Sequence, residues 1–125
     1  MQTLNIARTN RTPEIYYDAG TAILEISGRS IPENSLQFFQ PLFDWAETFR
    51  LQQNQRILNV IFKLEYFNTS SSKCILDLLR KLEKINESGK EVFIKWYYDP
   101  RDEDMEEAGK DFQDMMALNI ELITL

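Results

Sequence analysis

The sequence predicts an α/β fold: a single domain over residues 1–125 with a mixed, mostly parallel sheet and three main helices. Two observations carry this expectation. Short runs rich in Ile, Val, Phe and Tyr with period-two patterning are interleaved with longer stretches whose apolar residues recur at helical spacing. One of the short runs is apolar at nearly every position, as a strand inside a sheet would be. At 125 residues and 43% hydrophobic content, the chain is also long enough to build one core without staples.

The elements follow in order. Leu4 to Ala7 is a possible short leading strand, and a polar turn over Thr9 to Pro13 separates it from the strand Glu14 to Asp18. Ala19-Gly20 turns the chain into Ala22 to Ile26, so these two strands form a hairpin. Ser27 to Ser30 is expected to loosen the chain before Ile31-Pro32. A helix begins near Asn34 or Ser35, with Phe38, Leu42, Trp45 and Phe49 on one stripe and Phe39, Phe43 and Ala46 beside it. Pro41 removes a helical N–H there, which predicts a kink or a later start.

Arg56 to Phe67 is the most apolar strand, with Leu58, Val60, Phe62 and Leu64 on one face and Ile57 and Ile61 on the other. Apolar groups on both faces predict an interior strand covered from both sides. A polar turn, Asn68-Thr69-Ser70-Ser71, leads into a helix with the stripe Ile75, Leu78, Leu79, Leu82 and Ile85, stopped by Gly89. Glu91 to Tyr98 is a strand ended by Asp99-Pro100, and Met105, Ala108, Phe112 and Met115 make a third helical stripe. Asn119 to Leu125 closes the chain as a strand, for the order β-β-α-β-α-β-α-β behind the small leading strand. Strand–helix–strand units of this kind imply parallel pairing with right-handed crossovers.

Composition excludes more chemistry than it suggests. The net charge is −6 and the pI about 4.7, so phosphate backbones and anionic lipid are poor partners. There is no histidine, which removes imidazole bases, His-dependent nucleophiles and His-ligated zinc. Cys74 is alone, so it forms neither an internal disulfide nor a CxxC pair. The glycines at 20, 28, 89 and 109 make no phosphate-cradling loop. No apolar run serves as a signal peptide or a membrane span, so a cytoplasmic protein is expected. The chain is read as no enzyme, with no cofactor and no metal.

Other features read as structure. The acidic group around Asp102, Glu103, Asp104 and Glu106 lacks calcium-loop spacing and reads as the start of a helix, complementing its dipole. Trp96-Tyr97-Tyr98 ends a strand, and ordinary packing is favoured over a binding platform. Cys74 reads as a small buried hydrophobe.

Thr69-Ser70-Ser71-Ser72-Lys73 is different in kind. It follows the interior strand and opens a helix, where backbone N–H groups and the dipole favour an anion. One of the four hydroxyls is expected to cap the helix, but capping needs only one. An exposed hydroxyl at this place could accept a phosphoryl group and gain about −1.5 to −2 charges.

The run Leu64 to Ser71 followed by a leucine-rich helix resembles the phosphoacceptor turn of anti-anti-sigma factors and their STAS-domain relatives. Asn68 stands where that pattern has aspartate and Thr69 where it has the phosphorylated serine, while the usual glycine is missing. The chain resembles the SiaC family of bacterial regulatory phosphoproteins more closely. The resemblance lies in Thr12-Pro13-Glu14, in Ile26 to Ser35, in Asp44-Trp45, in Phe67 to Lys73 and in Lys95 to Asp99. It implies a STAS-like fold, a phosphorylation switch at Thr69, and Asn68, Ser70, Ser71, Ser72 and Lys73 as the partner-binding turn around it. It also implies a dedicated Ser/Thr protein kinase and a PP2C-type phosphatase acting on Thr69. The effector implied is a diguanylate cyclase, bound and activated by the unphosphorylated protein, which places the chain in cyclic di-GMP signalling. The alternative is an anti-anti-sigma factor whose partner is an anti-sigma kinase. A small carboxylate enzyme using Asp99 or Glu65 is disfavoured by the missing histidine and phosphate loop.

Overall fold

The computed structural model describes residues 3–125. Its element order is β1 (Leu4–Ile6), β2 (Glu14–Asp18), β3 (Ile23–Ser30), α1 (Ser35–Leu51), β4 (Ile57–Phe67), α2 (Thr69–Glu87), β5 (Glu91–Tyr98), α3 (Glu103–Met115) and β6 (Asn119–Thr124). The strands form one sheet in the order β1-β2-β3-β4-β5-β6. The first two pairings are antiparallel, and the β3–β4, β4–β5 and β5–β6 pairings are parallel. β4 therefore lies inside the sheet with a partner on each edge, as its composition predicts.

Three successive crossovers step across the sheet in one direction. With the usual right hand, each must place its helix on the same face. The core follows that rule: Ile15, Tyr17, Leu24, Ile26, Leu58, Val60, Phe62, Val92, Ile94, Trp96 and Ile120 all point to one side and pack with the helices. The expectation that β4 is covered on both sides is corrected. Ile57 is 44% exposed and Ile61 only half-buried, because no helix crosses their face.

Local sequence explains most boundaries. Asn34 caps α1 by accepting the Gln37 N–H at 3.1 Å, so the helix starts before Pro41 and runs through it. Pro41 is exposed, which leaves the carbonyl it cannot serve open to water. Asp102 caps α3 by accepting the Met105 N–H at 3.0 Å, with Glu103, Asp104 and Glu106 in the first turn complementing the dipole. The third stripe differs at its end: Met115 is exposed, and Met116, just past the helix, is buried in its place. Extended backbone at Met116 turns its side chain back to the core.

Ser27 to Ser30 is strand, not a loosened segment. Gly28 pairs with Leu64 but Arg29 pairs with Tyr66, so β4 carries Glu65 as an extra residue in a bulge. Gly28 has φ +113°, and the Arg8 guanidinium lies 3.1 Å from where a Cβ would stand. The bulge turns Phe67 toward the core side, where its ring meets Trp96 edge-on at 6.2 Å. It also sets Ser30 opposite Phe67, beside the start of α2.

Candidate functional site

The site is the N-terminal turn of α2, at the edge of the sheet where the parallel strands end. Asn68 is the N-cap, not one of the hydroxyls: its side-chain oxygen accepts the Ser71 N–H at 2.9 Å. Its backbone N–H donates to the Ser30 carbonyl at 3.1 Å, which ties the turn to β3. Thr69, Ser70 and Ser71 are therefore the first three helical residues rather than a preceding loop.

Each hydroxyl then has a distinct position. Ser71 is fully buried; its Oγ donates to the Ser30 carbonyl at 3.0 Å and lies 2.8 Å from the Ser30 Oγ, itself fully buried. Of the residues expected to form the partner-binding turn, Ser71 has its side chain sealed between α2 and β3. Ser70 is exposed but committed, with its Oγ 2.7 Å from the Ser35 Oγ at the start of α1 and 3.2 Å from the Asn68 side-chain oxygen. Ser72 is half-buried. Thr69 is exposed, and its hydroxyl makes no hydrogen bond among the described residues. The hydroxyls thus divide: two hold the turn to β3 and α1, and of the two without a hydrogen bond among the described residues, Ser72 is half-buried and Thr69 is exposed.

The electrostatics favour an anion here only locally. The first N–H groups of a helix have no intrahelical acceptor, and the cap serves that of Ser71 alone. Lys73 is exposed and four residues beyond Thr69, hence on the same helix face. Arg8 forms an ion pair with the exposed Glu65 at 3.6 Å and donates to Ser27 at 3.0 Å. A shallow depression of about 430 Å³ lies between the starts of α1 and α2, lined by Ser35, Ser70, Lys73 and Asp77 among others. Its floor holds Cys74, whose thiol is pushed up from its usual pKa by burial and by Asp77.

The remaining candidates resolve into structure. Trp96 is buried and its indole N–H donates to the Met105 carbonyl at 3.0 Å, while the Tyr98 hydroxyl donates to Glu106 at 3.3 Å. Asp99 is held at about 2 by hydrogen bonds from the Arg101 side chain and backbone, an exposed turn clasp. An open depression of about 810 Å³ near it is lined largely by charged side chains, including Lys63, Glu65 and Asp104. Among the described residues no group of three or more His, Cys, Asp or Glu side chains is placed to hold a metal ion, and no helix is long and apolar enough to cross a membrane.

The Ser30–Ser71 and Ser35–Ser70 contacts are what sequence reasoning missed, since each joins residues 35 or more positions apart. The only signal for them was the surplus of hydroxyls over what a cap requires.

This arrangement has counterparts. The SiaC family regulatory phosphoprotein model matches residues 6–125. The uncharacterized protein PA14_02130 of Pseudomonas aeruginosa (strain UCBPP-PA14) is 39% identical over 114 residues, covering 91% of this chain and 90% of that protein. The crystal structure of apo-SiaC from Pseudomonas aeruginosa matches with a TM-score of 0.90 at 34% identity, covering 98% of this chain and 99% of the other. The crystal structure of the diguanylate cyclase SiaD in complex with its activator SiaC, from the same organism, matches with a TM-score of 0.91 at the same identity and coverage. The six-stranded sheet, the three helices and this family match over nearly the whole chain lead to one conclusion: the protein belongs to the SiaC family of regulatory phosphoproteins.

Proposed function

We propose that this chain is a non-catalytic, cytoplasmic regulator, acting as one STAS-like module over residues 1–125, whose switch is phosphorylation of Thr69. The observation that carries the reading is the exposed and unbonded hydroxyl of Thr69, beside two serines whose hydroxyls are spent on β3 and α1 and a third, Ser72, that is half-buried. A Ser/Thr kinase adds the phosphate and a PP2C-type phosphatase removes it. The unphosphorylated turn docks on an effector, a diguanylate cyclase, and activates it. The solved complex of SiaD with its activator SiaC, matched at a TM-score of 0.91, supports that choice of effector.

The switch works through charge. A phosphate on the first helical residue meets free N–H groups and the dipole, worth about 0.3–1 kcal/mol to an anion, so the fold tolerates it. A partner packed on the same turn does not, because burying an unpaired charge costs several kcal/mol. Asn68, Ser70, Ser72 and Lys73 shape the docking surface, and Ser71 holds it from below. Phosphosite mapping on protein from its native cells, with partner capture alongside, tests the reading. Phosphate on Thr69 and recovery of a cyclase with Thr69→Ala are expected. Phosphate on Ser70 or Ser72 alone, or recovery of an anti-sigma kinase instead, would overturn it.

A further inference from the structure

We infer that the uncovered face of the sheet is a dimerisation surface whose occupant is a second copy of this chain, packed face to face about a two-fold axis parallel to β4. Because every helix lies on the other side, this face has no cover among the described residues except at one end, where Arg8 lies across Ser27 and Glu65. Below that point it exposes large apolar groups: Tyr16 is 45% exposed, Ile57 44% and Phe93 37%. The half-buried Ile23 and Ile61 lie between them on the same face and join them into an apolar stripe, and large exposed apolar patches mark interaction sites.

Charge register selects the partner. The strand pairings place Tyr16, Glu25, Ile61, Lys95 and Glu121 in one row across the sheet. The neighbouring row runs Asp18, Ile23, Asn59, Phe93 and Asn119. A two-fold axis parallel to β4 maps β3 of one copy onto β5 of the other. Ile61 then meets Ile61, Glu25 meets Lys95 twice, Ile23 meets Phe93 twice, and Asn59 meets Asn59. An axis across the strands through the same row instead sets Glu25 on Glu25 and Lys95 on Lys95. An isologous contact must be self-complementary, and the arrangement along β4 is, whereas the one across the strands is not. Lys63 also falls on the axis, but its ammonium lies 5.1 Å from the Tyr97 ring, drawn aside toward β5. The twist of aligned sheets rotates the copies by about 30°, which leaves the central pairs in place. This axis also points both Thr69 turns the same way, so one dimer would present two switches to a single partner assembly.

The test is the mass of the full chain by light scattering and sedimentation from about 1 to 200 μM, with circular dichroism as the check on folding. Wild type is expected at twice 14.8 kDa at the upper end. Glu25→Lys and Lys95→Glu should each raise the dimer dissociation constant at least tenfold, and the double variant should restore it. Within one chain these residues are separated by β4, so rescue reports contact between copies. The singles also move net charge oppositely, from −6 to −4 and to −8, so a net-charge effect would give them opposite signs. A wild type monomeric at 200 μM would overturn the inference, as would a dimer indifferent to both variants or without rescue.

Discussion

Replacing Ser71 with alanine should cost more than its size suggests, and the reason lies in proton bookkeeping. The Ser71 hydroxyl has one proton and gives it to the Ser30 carbonyl at 3.0 Å, so the 2.8 Å contact between the two hydroxyls must use the proton of Ser30. Both side chains are fully buried. Ser71→Ala therefore removes two hydrogen bonds and leaves the Ser30 O–H without an acceptor, at a cost of about 2–3 kcal/mol. Ser30→Ala removes one bond and strands nothing, because the Ser71 hydroxyl keeps its backbone acceptor; about 0.5–1.5 kcal/mol is expected. The Ser30 carbonyl still accepts the Asn68 N–H in both. Adding Ser30→Ala to Ser71→Ala removes the stranded donor, so the double variant should be no less stable than Ser71→Ala alone. Urea denaturation of the four proteins gives the cycle directly. Additive losses, or equal costs for the two single variants, would refute this assignment of protons and the anchoring role drawn from it.

Further outcomes are expected elsewhere. Asn68→Ala should lose about 0.5–2 kcal/mol as the true cap, and Ser70→Ala less, both read from denaturation midpoints. Gly109→Ala should destabilise by about 1–3 kcal/mol, since its Cβ would stand 2.5 Å from Leu122 and 2.6 Å from Trp96; an unchanged melting temperature would contradict that packing. The Cys74 thiol, with its pKa raised by burial and by Asp77, should react with a disulfide reagent at pH 8 far more slowly in the folded protein than in urea; equal rates would contradict its burial.

Period and composition made the elements legible, including the interior place of β4, because local patterning and crossover rules act over short separations. What stayed hidden depends on contacts between distant residues. Ile57 and Ile61 read as a second buried face, yet the common direction of the crossovers, a property of strand order, leaves them on the open side. The extra residue Glu65 in β4 has no signature in its strand, whereas Gly28 opposite marks the place only once its φ is known. The hydroxyl run pointed to the site, and its resemblance to a known switch pointed to Thr69. The pairings of Ser70 with Ser35 and of Ser71 with Ser30, and the partial burial of Ser72, leave Thr69 as the exposed hydroxyl without a hydrogen bond among the described residues.

The central claim is that charge at Thr69 blocks docking. Its most direct test is titration calorimetry of the captured diguanylate cyclase against the chain, unphosphorylated and stoichiometrically phosphorylated on Thr69. A desolvated, unpaired charge at about 3–5 kcal/mol predicts a loss of roughly 10²–10⁴-fold in affinity, with the phosphoprotein still folded. Equal affinity of the two forms, or tighter binding of the phosphorylated one, would contradict the account.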